Sequence, residues 1–139
     1  MKMSQHAKIT KSKQEWEAQL SPIQFYILRQ AGTEMAFTGP FLQEKRPGIY
    51  RCAGCGNPLF DAGTKFESGT GWPSFFAPIG AEAVEERKEG PLIPLMVRRV
   101  EVRCASCEGH LGHVFRDGPK PTGLRYCMNG YAMAFEAEG

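Results

Sequence analysis

The five cysteines fall into two groups by spacing. Cys52-Ala53-Gly54-Cys55 and Cys104-Ala105-Ser106-Cys107 are two C-x-x-C pairs, and Cys127 stands alone. Each pair puts two thiolates on one tight turn, with small residues between and after them that let backbone amides face sulfur. Two such turns complete a tetrahedral four-thiolate site, closed to water and therefore structural. Zn²⁺ suits that site, one ion per chain, although iron also accepts four tetrahedral thiolates. The 48 residues between Cys55 and Cys104 exceed the ~15–20 of compact zinc modules, so the metal is expected to clamp two remote hairpins of one domain. A redox-active C-x-x-C is the competing reading, but neither pair has the helix context of a redox motif. His110 and His113 follow Cys107 closely, yet four cysteines already fill the coordination shell.

Cys127 closes a stretch rich in titratable groups: His110, His113, Arg116, Asp117, Lys120 and Arg125. A free thiol with a pKa near ~8.5 is only a few per cent thiolate at neutral pH. Lowering that pKa to ~7 takes roughly 2 kcal/mol, which a guanidinium two residues away on the same strand face can supply. The residues leave open whether Cys127 is such a nucleophile or a small buried apolar side chain. Gly69-Thr70-Gly71-Trp72-Pro73-Ser74 is the other unusual segment. Its glycines permit close backbone approach, and Trp72 on that turn either walls a pocket for a small apolar group or packs in the core.

The elements that must position these groups are short. Residues 1–11 are polar and read as disordered. Ser12 with Glu15 and Ser21 with Gln24 are capping boxes, and Pro22 fits the first helical position. They predict a helical clasp over 12–32, with Ile23, Tyr26 and Ile27 on its packed face and a stop at Gly32. From Gly48 onward, brief segments are bounded by Gly, Pro, Asn or Asp. Residues 49–52, 83–85, 99–103, 113–115 and 132–135 read as strands, with alternation clearest at 99–103. Charges over 82–103 balance, as on a solvated sheet face. Residues 12–139 thus form one domain, a mainly β fold of antiparallel strands with short N-terminal helices and a metal-bearing body over 48–136. Sixteen glycines and ten prolines in 139 residues agree with a turn-rich chain.

Three segments taken in order resemble the B-type methionine sulfoxide reductases: Gly69 to Phe75, His110 to Pro119, and Pro121 to Asn129. With both C-x-x-C turns between and before them, the match runs from about Glu15 to Phe135. The resemblance implies two antiparallel sheets in a tent-like arrangement and a structural zinc distant from the catalytic cysteine. It implies that Cys127 attacks the sulfoxide sulfur and becomes a sulfenic acid, a reversible state. His113 is then the proton donor with His110 beside it, Asp117 orients an imidazole, and Arg125 and Asn129 stabilise the thiolate. Trp72 and Phe115 contact substrate, with Trp72 on the methyl group at sulfur. The implied substrates are free and protein-bound methionine-R-sulfoxide, and a thioredoxin-like or small thiol closes the cycle in protein repair after oxidative stress.

Two departures stand out. Many members carry a resolving cysteine where this chain has Thr70, and four ligands plus one nucleophile use all five cysteines here. Regeneration by an external thiol follows. Where the family usually has Ser after Asn129, this chain has Gly130-Tyr131. A zinc-stabilised scaffold that only binds proteins would not need Cys127, Asn129, His113 and Trp72 together. A net charge of +2 without a basic stripe speaks against nucleic-acid binding. The longest apolar run, Leu92 to Val97, is broken by Pro94 and far short of a membrane span. No secretory signal precedes the domain, so a cytoplasmic monomer is the expectation.

Overall fold

A computed structural model describes residues 8–89 and 99–139. The apolar run at 92–97 and the first seven residues lie outside the described residues. The capping boxes form as expected. In α1 (Lys13–Gln19) the Ser12 hydroxyl accepts from the Glu15 amide at 3.1 Å, and Glu15 accepts from the Ser12 amide at 2.9 Å. In α2 (Pro22–Gln30), Ser21 and Gln24 make the same exchange. The helix ends with Ala31 in the left-handed region, and Gly32 donates to the Tyr26 carbonyl. The packed face differs from the expected one. Ile27 and Leu28 are buried, whereas Tyr26 is 46% exposed, because its ring folds back over Gly32. Residues 8–11, read as part of a disordered arm, are tethered to the body. Ile9 donates to the Ser106 carbonyl at 2.8 Å, and Lys8 pairs with Glu85.

Among the described residues, nine strands build two antiparallel sheets. They are β1 (Gly48–Cys52), β2 (Pro58–Asp61), β3 (Lys65–Phe66), β4 (Ser74–Phe75), β5 (Val84–Lys88), β6 (Val100–Cys104), β7 (His110–Phe115), β8 (Arg125–Met128) and β9 (Met133–Ala137). The smaller sheet has order β2-β1-β9 and the larger β3-β4-β8-β7-β6-β5. On β5 and β6 the charges meet across the ladder, Arg87 opposite Glu101 and Glu85 opposite Arg103, which keeps that face wet and paired. An aromatic seam packs one sheet on the other. Phe60 of β2 stacks on Phe75 of β4 at 4.4 Å between centroids, and Tyr50 of β1 meets Phe75 edge-on at 5.1 Å. All three rings are fully buried, Phe60 and Phe75 each contributing roughly 1.5–3 kcal/mol. Among the described residues, no helix is long and apolar enough to cross a membrane.

Two features of the larger sheet position the site. Cys127 on β8 lies between Ser74 on β4 and His113 on β7, directly opposite each. The β7–β8 approach is close at Gly112, where a Cβ atom would sit 2.1 Å from the Cys127 carbonyl oxygen and 3.0 Å from the Met128 Cα. Only a hydrogen fits there. Gly112→Ala should therefore pry these strands apart and cost about 3 kcal/mol, at the upper end for overpacking. Urea denaturation measures this, and a loss below about 1 kcal/mol would show that the strand pair yields easily.

Candidate active site and metal centre

The two C-x-x-C turns are built alike. Cys52 ends β1 and Cys104 ends β6, so each turn starts from a fixed strand end. In the first, Cys52 donates to the Asn57 carbonyl and Gly56 donates back to Cys52. In the second, Cys104 donates to Gly109 and Glu108 donates back to Cys104. Gly56 and Glu108 occupy the same left-handed position, at φ 80° and 61°. The four Sγ atoms lie within 4.8 Å of one another, with Cys52–Cys107 at 3.7 Å and Cys55–Cys104 at 3.6 Å. A tetrahedron of thiolates with metal–sulfur bonds of about 2.3 Å has edges of about 3.8 Å. The four cysteines are thus placed to hold one metal ion, and none is in a disulfide. Hydrogen bonds from Cys107, Cys52 and Cys55 hold the Cys104 thiol well below its ordinary range, while the contact with Cys104 pushes Cys107 up. Sulfurs this close cannot all ionise without a cation among them.

The lone cysteine faces a separate cavity of about 100 Å³, lined by Trp72, His113, Phe115, Cys127 and Asn129 together with Thr33, Arg99, Gly112 and Met128. Cys127 and His113 share it because they are a cross-strand pair, which sets their Cβ atoms roughly 4.5–5.5 Å apart. Burial raises the Cys127 thiol pKa, and this outweighs the lowering by the Arg125 charge and by hydrogen bonds from Thr70 and Arg125. The guanidinium is where the sequence reading wanted it, but it limits the upward shift instead of producing a net fall. Burial, the Arg99 charge and His110 together lower His113 to about 4. The resting pocket at neutral pH therefore holds a protonated thiol opposite a neutral imidazole.

The remaining expected residues separate into those at the pocket and those behind it. Asn129 is 3% exposed. Its amide donates to the Leu111 carbonyl at 2.9 Å, and its oxygen accepts from the Glu34 amide at 2.9 Å. Arg125 lies over the Phe115 ring at 4.4 Å. Asp117 does not orient an imidazole. It follows β7 in an exposed loop and grips Arg125 with both oxygens, at 2.9 and 3.1 Å. The carboxylate that holds an imidazole is Glu101, on the neighbouring strand β6, with His110 Nδ1 at 2.6 Å. His110 is buried beside His113, ring centroids 5.4 Å apart, and its Nε2 has no partner among the described residues.

Glu34 is the residue that sequence reasoning missed altogether. Its amide holds Asn129, its carbonyl accepts the Trp72 indole N–H at 3.0 Å, and its carboxylate accepts from the Tyr131 amide at 2.9 Å. It is 3% exposed, burial raises its pKa, and one carboxylate oxygen has no partner among the described residues. One loop residue thus fixes the pocket wall and the amide beside the thiol. No local pattern marks an isolated Glu after Gly32-Thr33.

The SelR domain family matches residues 20–137. A peptide methionine sulfoxide reductase MsrB of Agrobacterium fabrum is 54% identical over 129 residues, covering 93% of each chain. One of Methylibium petroleiphilum is 49% identical over 132 residues, 93% of this chain and 91% of the relative. The chloroplastic peptide methionine sulfoxide reductase B1 of Arabidopsis thaliana is 52% identical over 126 residues, 91% of this chain and 61% of the plant protein.

The geometry predicts how Cys127 titrates. Alkylation by iodoacetamide, followed on the Cys127 peptide by mass spectrometry, should accelerate through a midpoint above the ordinary thiol range. Arg125→Met removes the neighbouring cation and should move that midpoint further up. A midpoint near or below 7 in the free protein would show that Arg125 and Thr70 outweigh burial.

Proposed function

The chain belongs to the SelR domain family, whose matching relatives are peptide methionine sulfoxide reductases, and from that membership we propose that it reduces methionine-R-sulfoxide, free or in proteins, to methionine through Cys127. The observation that carries this reading is the thiol directly opposite a neutral imidazole in a small pocket walled by Trp72 and Phe115. Such a pocket suits a sulfoxide, whose methyl group is apolar and whose oxygen accepts hydrogen bonds.

The pocket's protonation state suggests the order of events. As Cys127 Sγ attacks the sulfoxide, His113 takes the thiol proton as general base and passes it to the oxygen as general acid. The sulfur–oxygen bond to methionine breaks, the oxygen ends on Cys127 as a sulfenic acid, and methionine leaves with the electron pair. His113 is suited to the transfer because burial keeps it unprotonated at the start. His110, held on Nδ1 by Glu101, lies next to it, and the Glu101 and Glu89 carboxylates favour the charge that His113 acquires. Asn129, pinned at both ends of its amide, keeps the pocket edge in place. Asp117 acts at one remove, by aiming Arg125.

Two equivalents of an external thiol would return the sulfenic acid to thiol, with loss of water and formation of the reductant's disulfide. The Thr70 hydroxyl approaches Cys127 where many relatives carry the resolving cysteine, so no intramolecular partner is at hand. A thioredoxin-like protein or a small thiol fits that role. The four clustered cysteines would hold a structural Zn²⁺, whose charge would stabilise their thiolates. Five cysteines without a disulfide suit a reducing compartment, the cytoplasm. The pocket is complete within one chain, which suits a monomer.

Two measurements test this reading. With dithiothreitol as reductant, the protein should turn over the R epimer of a capped methionine sulfoxide and leave the S epimer untouched. Cys127→Ser should reduce R turnover to background. Intact, metal-loaded protein inert to both epimers would point to a binding scaffold instead. Elemental analysis should find one zinc per chain, and Cys104→Ser should lose it along with several kcal/mol of stability. Retention of both metal and stability would remove the structural role.

A further inference from the structure

The loop between α2 and β1 carries two bulky residues in the left-handed region, Phe37 at φ 67° and Phe41 at φ 78°. For aromatic side chains this backbone is rare and costs about 1 kcal/mol or more. At Phe41 the cost is offset within the chain. Its ring packs edge-on against Tyr50 at 5.5 Å and against Phe135 at 6.3 Å, joining the core. At Phe37 it is not. The Phe37 amide is fastened to the Gly71 carbonyl at 2.8 Å, and Gly71 has no room for a side chain against that ring. Yet Phe37 is 69% exposed, and Met35 on the same loop is 77% exposed. A strained, anchored aromatic that buries little of itself is arranged to contact something outside the chain.

Its surroundings say what. Phe37, Leu42, Phe66 and Pro73 share the lining of a groove with Lys65, Glu67 and Trp72. Trp72 also lines the Cys127 cavity. The two cavities are thus neighbours that share one residue. An extended peptide advances about 3.3–3.6 Å per residue, so a residue flanking a methionine sulfoxide seated at Cys127 can reach the adjoining groove.

We propose that this groove is a second subsite for peptide substrates, in which Phe37, Leu42 and Phe66 receive an apolar side chain flanking the methionine sulfoxide. The inference rests on the reductase reading and gives it a substrate preference. Oxidised methionines embedded in apolar sequence, of the kind exposed when a damaged protein opens its core, are reduced faster than those in polar sequence. The exposed Phe37 lines the part of the groove that such a segment crosses.

The test compares three R-sulfoxide substrates: a capped amino acid without flanks, and peptides with either leucine or serine at the two positions on each side. Wild type should show kcat/KM about tenfold higher for the leucine peptide than for the serine peptide, expressed mainly in KM. This is roughly the return on burying ~50–60 Å² of apolar surface. Phe37→Asn keeps a residue that tolerates the left-handed backbone and should bring the ratio within twofold, while kcat/KM for the capped amino acid stays unchanged. Leu42→Ser repeats the test should Phe37→Asn fail to fold. A wild-type ratio within twofold overturns the proposal, as does a ratio that survives both substitutions. A dimer in solution that Phe37→Asn dissolves would also overturn it, assigning the groove to a second copy. Absence of turnover of the capped R-sulfoxide counts against the reductase reading alone. Binding of leucine and serine peptides to Cys127→Ser protein, read by tryptophan fluorescence, then decides the groove without turnover.

Discussion

Four sulfur atoms fasten one sheet to the other. Cys52 and Cys55 follow β1 of the small sheet, and Cys104 and Cys107 follow β6 of the large one. Their Sγ cluster is the point where strands from opposite layers meet end to end. What leaves each turn leads to the pocket. Three residues after Cys107 the chain enters β7 at His110, which carries the imidazoles. On the other side, Ala53 donates to the Ala132 carbonyl at 2.9 Å, and Ala132 ends the short 3₁₀ turn that begins just after Asn129. A metal held by the four cysteines would bear on Cys127 through two short, stiff paths. Its contribution would be register, since a shifted β7 would no longer set His113 opposite the thiol.

Register alone would not make a nucleophile. The common route to a reactive cysteine is a nearby cation that lowers its pKa. In this pocket the cation is present, but burial outweighs it, and the same burial keeps His113 uncharged. The pair therefore holds one proton, on sulfur. That arrangement slows oxidation of the pocket thiol, because the thiolate is the form that oxidants attack. It also suits a reaction in which the proton has a destination, the sulfoxide oxygen. A preformed thiolate facing a neutral imidazole would leave that oxygen without a donor.

Much of this was legible in the residues. Capping boxes at Ser12 and Ser21 are local events and formed as read. The paired C-x-x-C turns declared a four-sulfur cluster because thiolate geometry allows few alternatives. The strand over 99–103 showed itself through alternating charge. The strands that escaped were β3 and β4, two residues each, and β2 and β8, four each. Period-two alternation needs a longer run to be visible, and β8 with Cys127 at its centre looks like a loop residue by residue. The packed face of α2 was misjudged because Tyr26 fits the helical period, and only its fold-back over Gly32 removes it from the core. The imidazole-orienting role of Asp117 rests on the family resemblance. Its true partner, Arg125, and the true imidazole partner, Glu101, are set by strand pairing, which no spacing rule conveys.

The helical segment at the start of the chain was expected to be a clasp and nothing more. Glu34 shows why that description is incomplete. It sits four residues beyond α2, where Ile27 and Leu28 anchor the helix in the core. From there its backbone amide and carbonyl reach Asn129 and Trp72, two residues that line the thiol pocket. A backbone group can serve two such partners only if its own position is fixed, and the fixing comes from its side chain. The carboxyl group is buried against the amides of Gly130 and Tyr131, at the start of a short 3₁₀ turn, and burial raises its pKa. Burying it with one oxygen unpartnered among the described residues is costly, and an apolar residue would pack there at lower cost. What the carboxyl group adds is an acceptor that holds those two amides. The pocket wall, the pocket amide and the turn behind it are thereby locked to one residue, and α2 locks that residue to the core.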